Sequence, residues 1–132
     1  MKEPIWIEEE LVVTIHKRQI SEHGGFDGIR DNGLLLSALS RPKHLYAYEE
    51  VNIAQLSASY AYGIARNHPF LDGNKRTALV ICRTFLRIND YDLKVTNEDK
   101  YITFLSLASG DITEEELAKW IEKNTVNTKT EN

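Results

Sequence analysis

From Asn74 to about Asn89 the chain carries Ala78, Leu79, Val80, Ile81, Cys82, Phe85, Leu86 and Ile88. Plotted at 3.6 residues per turn, these apolar positions nearly encircle the axis, which predicts a helix packed on most sides and placed at the centre of its fold. A helix of that kind needs other helices or a sheet to cover it, and the rest of the sequence supplies helices. Glu8, Glu9 and Glu10 suit a helix N-terminus, Leu11, Val12, Ile15 and Ile20 follow at helical spacing, and Gly24 stops the run. Asp31 caps a second helix with Leu35, Leu36 and Leu39, which Pro42 is expected to close. Asn52 caps a third, with Ile53, Leu56, Tyr60 and Ile64 on one stripe. Thr96 or Asn97 opens a fifth, with Tyr101, Ile102, Phe104, Leu105 and Leu107, and Gly110 ends it. Thr113 and Glu116 form a capping box for a sixth, which packs Leu117, Trp120 and Ile121. Strand alternation is missing apart from a short extended stretch at Tyr91–Val95. The expected fold is all-α, a compact bundle of about six helices.

The chain has 132 residues, enough for one domain and one core and too few for two. Residues 1–123 are read as a single domain and residues 124–132 as a polar tail, frayed or disordered, with no apolar period. The single cysteine, Cys82, excludes an internal disulfide and a cysteine-based metal site. It reads as a small buried hydrophobe, and Trp6 and Trp120 as packing residues at the two ends of the domain. A net charge of -4 argues against the basic footprint of a nucleic-acid binder. No apolar run is long enough for a signal peptide or a membrane span, so the expectation is a cytoplasmic protein without a membrane partner.

The segment that carries chemistry is His68-Pro69-Phe70-Leu71-Asp72-Gly73-Asn74-Lys75-Arg76. Pro69 disfavours helical backbone at His68, so the third helix should end there, and Gly73 permits a tight bend before the fourth. The N–H groups of Gly73, Asn74, Lys75 and Arg76 then fall in or near a first helical turn without internal acceptors. Such donors at a positive dipole end attract anions. Lys75 and Arg76 oppose that dipole, at about 0.3–1 kcal/mol each when exposed, and a bound phosphate reverses the sign. Asp72 is a hard oxygen ligand suited to Mg2+ shared with phosphates, or a simple cap. His68 offers an imidazole that can take a proton from a hydroxyl. Asn74 either touches ligand or holds the loop. Phe70 is expected to anchor the loop in the core. Arg66 can reach phosphate oxygens or serve only the helix C-terminus. His16, His23 and His44 have no ligand partner at metal spacing and read as structural or surface residues.

This segment resembles the signature of the Fic/Doc family, His-x-Phe-x-Asp/Glu-Gly/Ala-Asn-Gly/Lys-Arg. The resemblance extends to Ile15-His16, to Gly24-Gly25-Phe26-Asp27-Gly28-Ile29-Arg30-Asp31 and to Leu34–Ala38 and Pro42, covering about residues 4–122. Lys75 and the short length place the chain nearest the Doc branch. The resemblance implies that His68 is the catalytic base for a protein hydroxyl and that Asp72 holds the metal. It further implies that Gly73–Lys75 cradle phosphates, that Arg76 neutralises them, and that a flap at Gly24–Asp31 aligns the target as an added strand, its turn permitted by Gly24, Gly25 and Gly28.

The adenylylating branch has glycine where this chain has Lys75, and a further arginine where it has Leu79, although it shares Gly73. These departures fit a Doc-like arrangement in which ATP binds with its γ-phosphate towards the histidine. The implied activity is transfer of phosphate to a Ser/Thr hydroxyl of a target, a translation component by analogy. Protein adenylylation and a non-catalytic binding module are the alternatives. The family's self-inhibiting motif, Ser/Thr-x3-Glu-Gly/Asn, is absent: the one Glu followed by Gly or Asn is Glu131, and Asn127 stands four residues before it. The implied inhibitor is a separate antitoxin with a disordered tail that folds onto the toxin.

Overall fold

Local capping chemistry sets most of the helix boundaries in the computed structural model, which describes residues 2–129. In chain order the elements are α1 (Glu9–His23), α2 (Asn32–Tyr48), α3 (Ile53–Asn67), α4 (Asn74–Ile88), β1 (Tyr91–Leu93), α5 (Asn97–Ser109), α6 (Glu114–Asn124) and β2 (Thr125–Asn127). The expected six-helix architecture is therefore the one that forms. Gly24 ends α1 at φ 83° and ψ 173°, a positive-φ conformation that suits glycine. Asp31 accepts from the Leu34 N–H at 3.0 Å to start α2. Asn52 with Gln55 and Thr113 with Glu116 make reciprocal capping boxes for α3 and α6, and Thr96 caps α5.

Pro42 does not close α2, which continues to Tyr48 with the proline inside it. A proline in mid-helix removes one N–H bond and crowds the carbonyl four residues back, at roughly 3 kcal/mol. Burial outweighs that penalty here. Pro42 is itself buried, and Leu45 and Tyr46 beyond it pack on the core. Tyr46 meets Trp6 edge-on at 5.7 Å.

The central helix is α3, not α4. Buried positions occur on every side of α3, including Leu56, Ser57, Ala58, Ser59, Tyr60, Ala61, Ile64 and Ala65. Small side chains let α2, α4 and α6 approach closely. A Cβ at Gly63 would lie 3.0 Å from that of Ala38 on α2. On α4 the buried set is one-sided, Thr77, Ala78, Ile81, Cys82, Phe85 and Leu86, with Leu79 and Ile88 only partly covered. Burial pushes the Cys82 thiol up to about 12, so it stays protonated and inert in the folded protein. On α5 only Phe104 and Leu107 of the expected apolar set are buried, and Tyr101, Ile102 and Leu105 are exposed.

The N-terminal segment is pinned to the bundle. Ile5 exchanges two hydrogen bonds with the Asn89 side chain, the Ile7 N–H donates to the Tyr60 hydroxyl, and Trp6 stacks near Phe85. At the other end, the stretch read as a polar tail contains β2. It pairs antiparallel with β1 in the register Tyr91↔Asn127, Asp92↔Val126 and Leu93↔Thr125. The boundary expected after residue 123 is thus no structural break. Residues 130–132, which hold the Glu131-Asn132 pair, lie outside the described residues. Among the described residues, no helix is long and apolar enough to cross a membrane.

Candidate active site

The site grows from how the chain leaves α3. His68 takes the C-cap position with φ 49° and ψ 55°, a left-handed conformation that is uncommon outside glycine and less so for histidine. Pro69 after it disfavours the right-handed alternative. The segment 24–31 holds this bend. The Arg30 guanidinium donates from Nε to the His68 carbonyl at 2.7 Å and from Nη2 to the Asn67 carbonyl at 2.8 Å. The backbone N–H groups of Arg30 and Asp31 both donate to the Pro69 carbonyl, and the Leu71 N–H donates to the Gly28 carbonyl. Ile29 and Phe70 form an antiparallel bridge.

Residues 68–74 are also closed from within. The Asn74 side chain accepts from the Phe70 N–H at 3.0 Å and donates to the Phe70 carbonyl at 2.9 Å. Asn74 is itself buried, as is the Phe70 ring, the anchor expected of it. Of the two roles open to Asn74, its side chain performs the one of holding the loop. Only its backbone N–H is left to face a ligand.

Gly73 is the N-cap of α4, at φ 75°, and no side chain caps that helix. The Gly73 N–H is taken by Asp72 Oδ1 at 2.8 Å, so one of the four expected donors is already engaged. Among the described residues nothing accepts from the N–H groups of Asn74, Lys75 or Arg76. Nor does any carboxylate pair with Lys75, Arg76 or Arg66. Three open donors and the unpaired cations Lys75 and Arg76 thus gather at one helix end in a chain of net charge -4, an arrangement that favours an anion. Lys75 lies 5.7 Å from the centre of the Tyr101 ring. Arg66, on the last turn of α3, leans over Tyr62 and towards Gly110 rather than bonding any residue of the loop.

Asp72 is exposed beside this turn. Its Oδ2 accepts from the Phe26 N–H at 3.3 Å, and its carbonyl oxygen meets Nε2 of His16 at 2.7 Å. A Cβ at Gly25 would fall 2.6 Å from Asp72 Oδ2, and one at Gly28 would fall 3.0 Å from the Leu71 side chain. Glycine at these two positions lets the flap lie against the loop. Gly24 has open space around it and acts only as the end of α1.

His16, read from the sequence as structural or surface, is buried under the loop with its ring stacked on Phe70 at 3.8 Å. The available signal was its spacing of four from Val12, which puts both on the inward side of α1. Arg30 is part of the segment 24–31 in the sequence, but nothing local marks its bonds to the carbonyls of Asn67 and His68.

Among the described residues there is no cluster of three His, Cys, Asp or Glu side chains to cage a metal. One exposed carboxylate beside an anion site suits Mg2+ instead, since that ion keeps most of its shell as water and substrate phosphate. A cavity of about 750 Å³ opens elsewhere, between α2, α3 and α6, with Arg41, His44, Tyr48 and Glu122 on its wall. No residue of the loop lines it.

Residues 6–86 match the Fic/DOC family, so the flap, the loop and the first turns of α4 all fall within the match. The chain belongs to this family. Two Fic/DOC relatives carry the Doc name. "Protein kinase doc" of Escherichia phage P1 is 36% identical over 107 residues, covering 80% of this chain and 84% of the relative. "Toxin Doc" of Mycolicibacterium smegmatis is 40% identical over 72 residues, covering 53% of this chain and 55% of that relative.

Proposed function

We propose that this chain is a Doc-like toxin that transfers the γ-phosphate of ATP to a Ser or Thr hydroxyl of a target protein, and that a separate antitoxin restrains it in the cytoplasm. The observation that carries the reading is the set of open N–H groups at Asn74, Lys75 and Arg76. They stand with Lys75 and Arg76, neither paired with a carboxylate, in a loop that begins with an exposed imidazole, and Arg66 sits on the helical turn just before it. A triphosphate satisfies those donors and cations together.

The chemistry follows from the residues present. His68 accepts the hydroxyl proton as the target oxygen bonds to the γ-phosphorus. The bond from that phosphorus to the bridging oxygen breaks, and ADP leaves. The N–H groups of the α4 first turn, with Lys75 and Arg76, stabilise charge on the phosphoryl oxygens. Asp72 would hold Mg2+, which when bound neutralises phosphate charge. Arg30 fixes the backbone of His68 so that the imidazole stays at the end of the loop. The flap offers the target a strand edge. In the bridge between Ile29 and Phe70 the flanking residues make the hydrogen bonds, so the Ile29 N–H and C=O point outward and are open to an added strand. A component of translation is the target class that the Doc likeness suggests.

Phosphoryl transfer is favoured over adenylyl transfer by Lys75 and by Leu79, which packs against the core and puts no cation on that turn. It also agrees with the name of the phage P1 relative. Incubating the protein with cell extract and ATP labelled at either the α- or the γ-phosphate separates the two. Label entering protein from the γ position alone is the expected result. Label entering from the α position would replace the kinase reading with adenylylation.

A further inference from the structure

His16 is a buried imidazole to which the proposed chemistry gives no part. It lies directly beneath the phosphate loop, on the helix that precedes the flap. Its Nε2 is 2.7 Å from the Asp72 carbonyl oxygen. A carbonyl only accepts, so Nε2 carries the hydrogen. The ring stacks nearly parallel on Phe70, at 3.8 Å between centres and 6° between planes. A Cβ at Gly73 would come within 3.8 Å of that ring. His16 therefore touches the loop at Phe70, at Asp72 and beside Gly73, and its far nitrogen, Nδ1, faces Asp27 of the flap at 3.9 Å. The anchor, the carboxylate-bearing residue and the N-cap of α4 all rest on one side chain.

We propose that His16 is a positioning residue. Its Nε2–H fixes the Asp72 peptide and so aims the open N–H groups of α4 at a phosphate group, with the Asp72 carboxylate held beside it where it would hold Mg2+. The ring serves as the loop's floor, and the hydrogen bond sets its register. A hydrophobic ring of similar size would keep the floor and lose the register. A side-chain amide would keep a donor and lose the ring. The inference rests on reading the loop as a nucleotide–phosphate site.

Two variants and two measurements on the unaltered protein test it. Calorimetry with ATP and Mg2+ comes first on the wild type. If the wild type does not bind, the functional reading falls and this inference with it. Given wild-type binding, His16→Phe should hold its melting temperature to within a few degrees and weaken binding by about ten-fold or more, the loss of one buried bond to a loop that must stay aligned. His16→Gln should recover most of that affinity. Equal affinity in His16→Phe and the wild type would overturn the positioning role and leave the functional reading standing. If His16→Phe fails to fold, nitrogen NMR of the wild-type imidazole decides. Nε2 protonated and hydrogen-bonded is the expected state, and Nε2 unprotonated would overturn the proposal.

Discussion

Replacing His68 with alanine is expected to abolish protein labelling from γ-labelled ATP, by about 10²–10⁴-fold for loss of a general base, and to leave the fold intact. The imidazole is exposed at the end of α3, so little packing is lost. The left-handed backbone is held through main-chain carbonyls by Arg30 and through the Asp31 and Arg30 amides on Pro69, not through the His68 side chain. Alanine adopts that φ less readily than histidine, so a small part of the stability is lost there. Thermal unfolding should therefore shift little while transfer disappears, and any growth arrest caused by the protein in cells should disappear with it. Growth arrest that persists in His68→Ala would point to a non-catalytic module acting by binding alone.

Asn74→Ala should be the most damaging single change in the loop for stability. Its side chain satisfies both the N–H and the carbonyl of Phe70, which are buried with it. Leaving a buried donor and a buried acceptor unmatched costs about 1–3 kcal/mol each, a large part of a stability of about 5–15 kcal/mol. Calorimetry should show a melting temperature lower by roughly 10 °C or more, and nucleotide binding should fall as residues 70–74 lose their shape. Asn74→Asp should be intermediate, since it keeps the acceptor for the Phe70 N–H and loses the donor. A variant within about 1 kcal/mol of wild type would mean that Asn74 does not brace the loop as its geometry implies.

What could be read from the sequence was what is decided locally. Asp31, Asn52, Thr96 and Thr113 each cap a helix through a residue three positions on, so the information sits within one turn. The loop is local in the same sense: His68 to Arg76 contains its own bend, its own brace in Asn74 and its own donors. What escaped depends on partners far along the chain. Pro42 looked like a stop because its penalty is local, while the burial that offsets it involves Leu45 and Tyr46 packing on distant residues. α3 hid its central place because Ala, Ser and Gly carry little hydropathy, and their smallness matters only once neighbours press against them. β2 reads as polar tail until β1 stands beside it. His16 acquires its role from Asp72, 56 positions away, and Arg30 acquires its role from the carbonyls of Asn67 and His68.

The account stands on the claim that the α4 N-terminus receives a nucleotide's phosphates. Titrating 15N-labelled protein with ATP and Mg2+ and following backbone amides tests this directly. The amides of Asn74, Lys75 and Arg76 should shift together and saturate, while those at the N-terminus of α6, Glu114 to Glu116, stay in place. Shifts confined to residues around the α2–α3–α6 cavity, or none at the loop under saturating ATP, would contradict it.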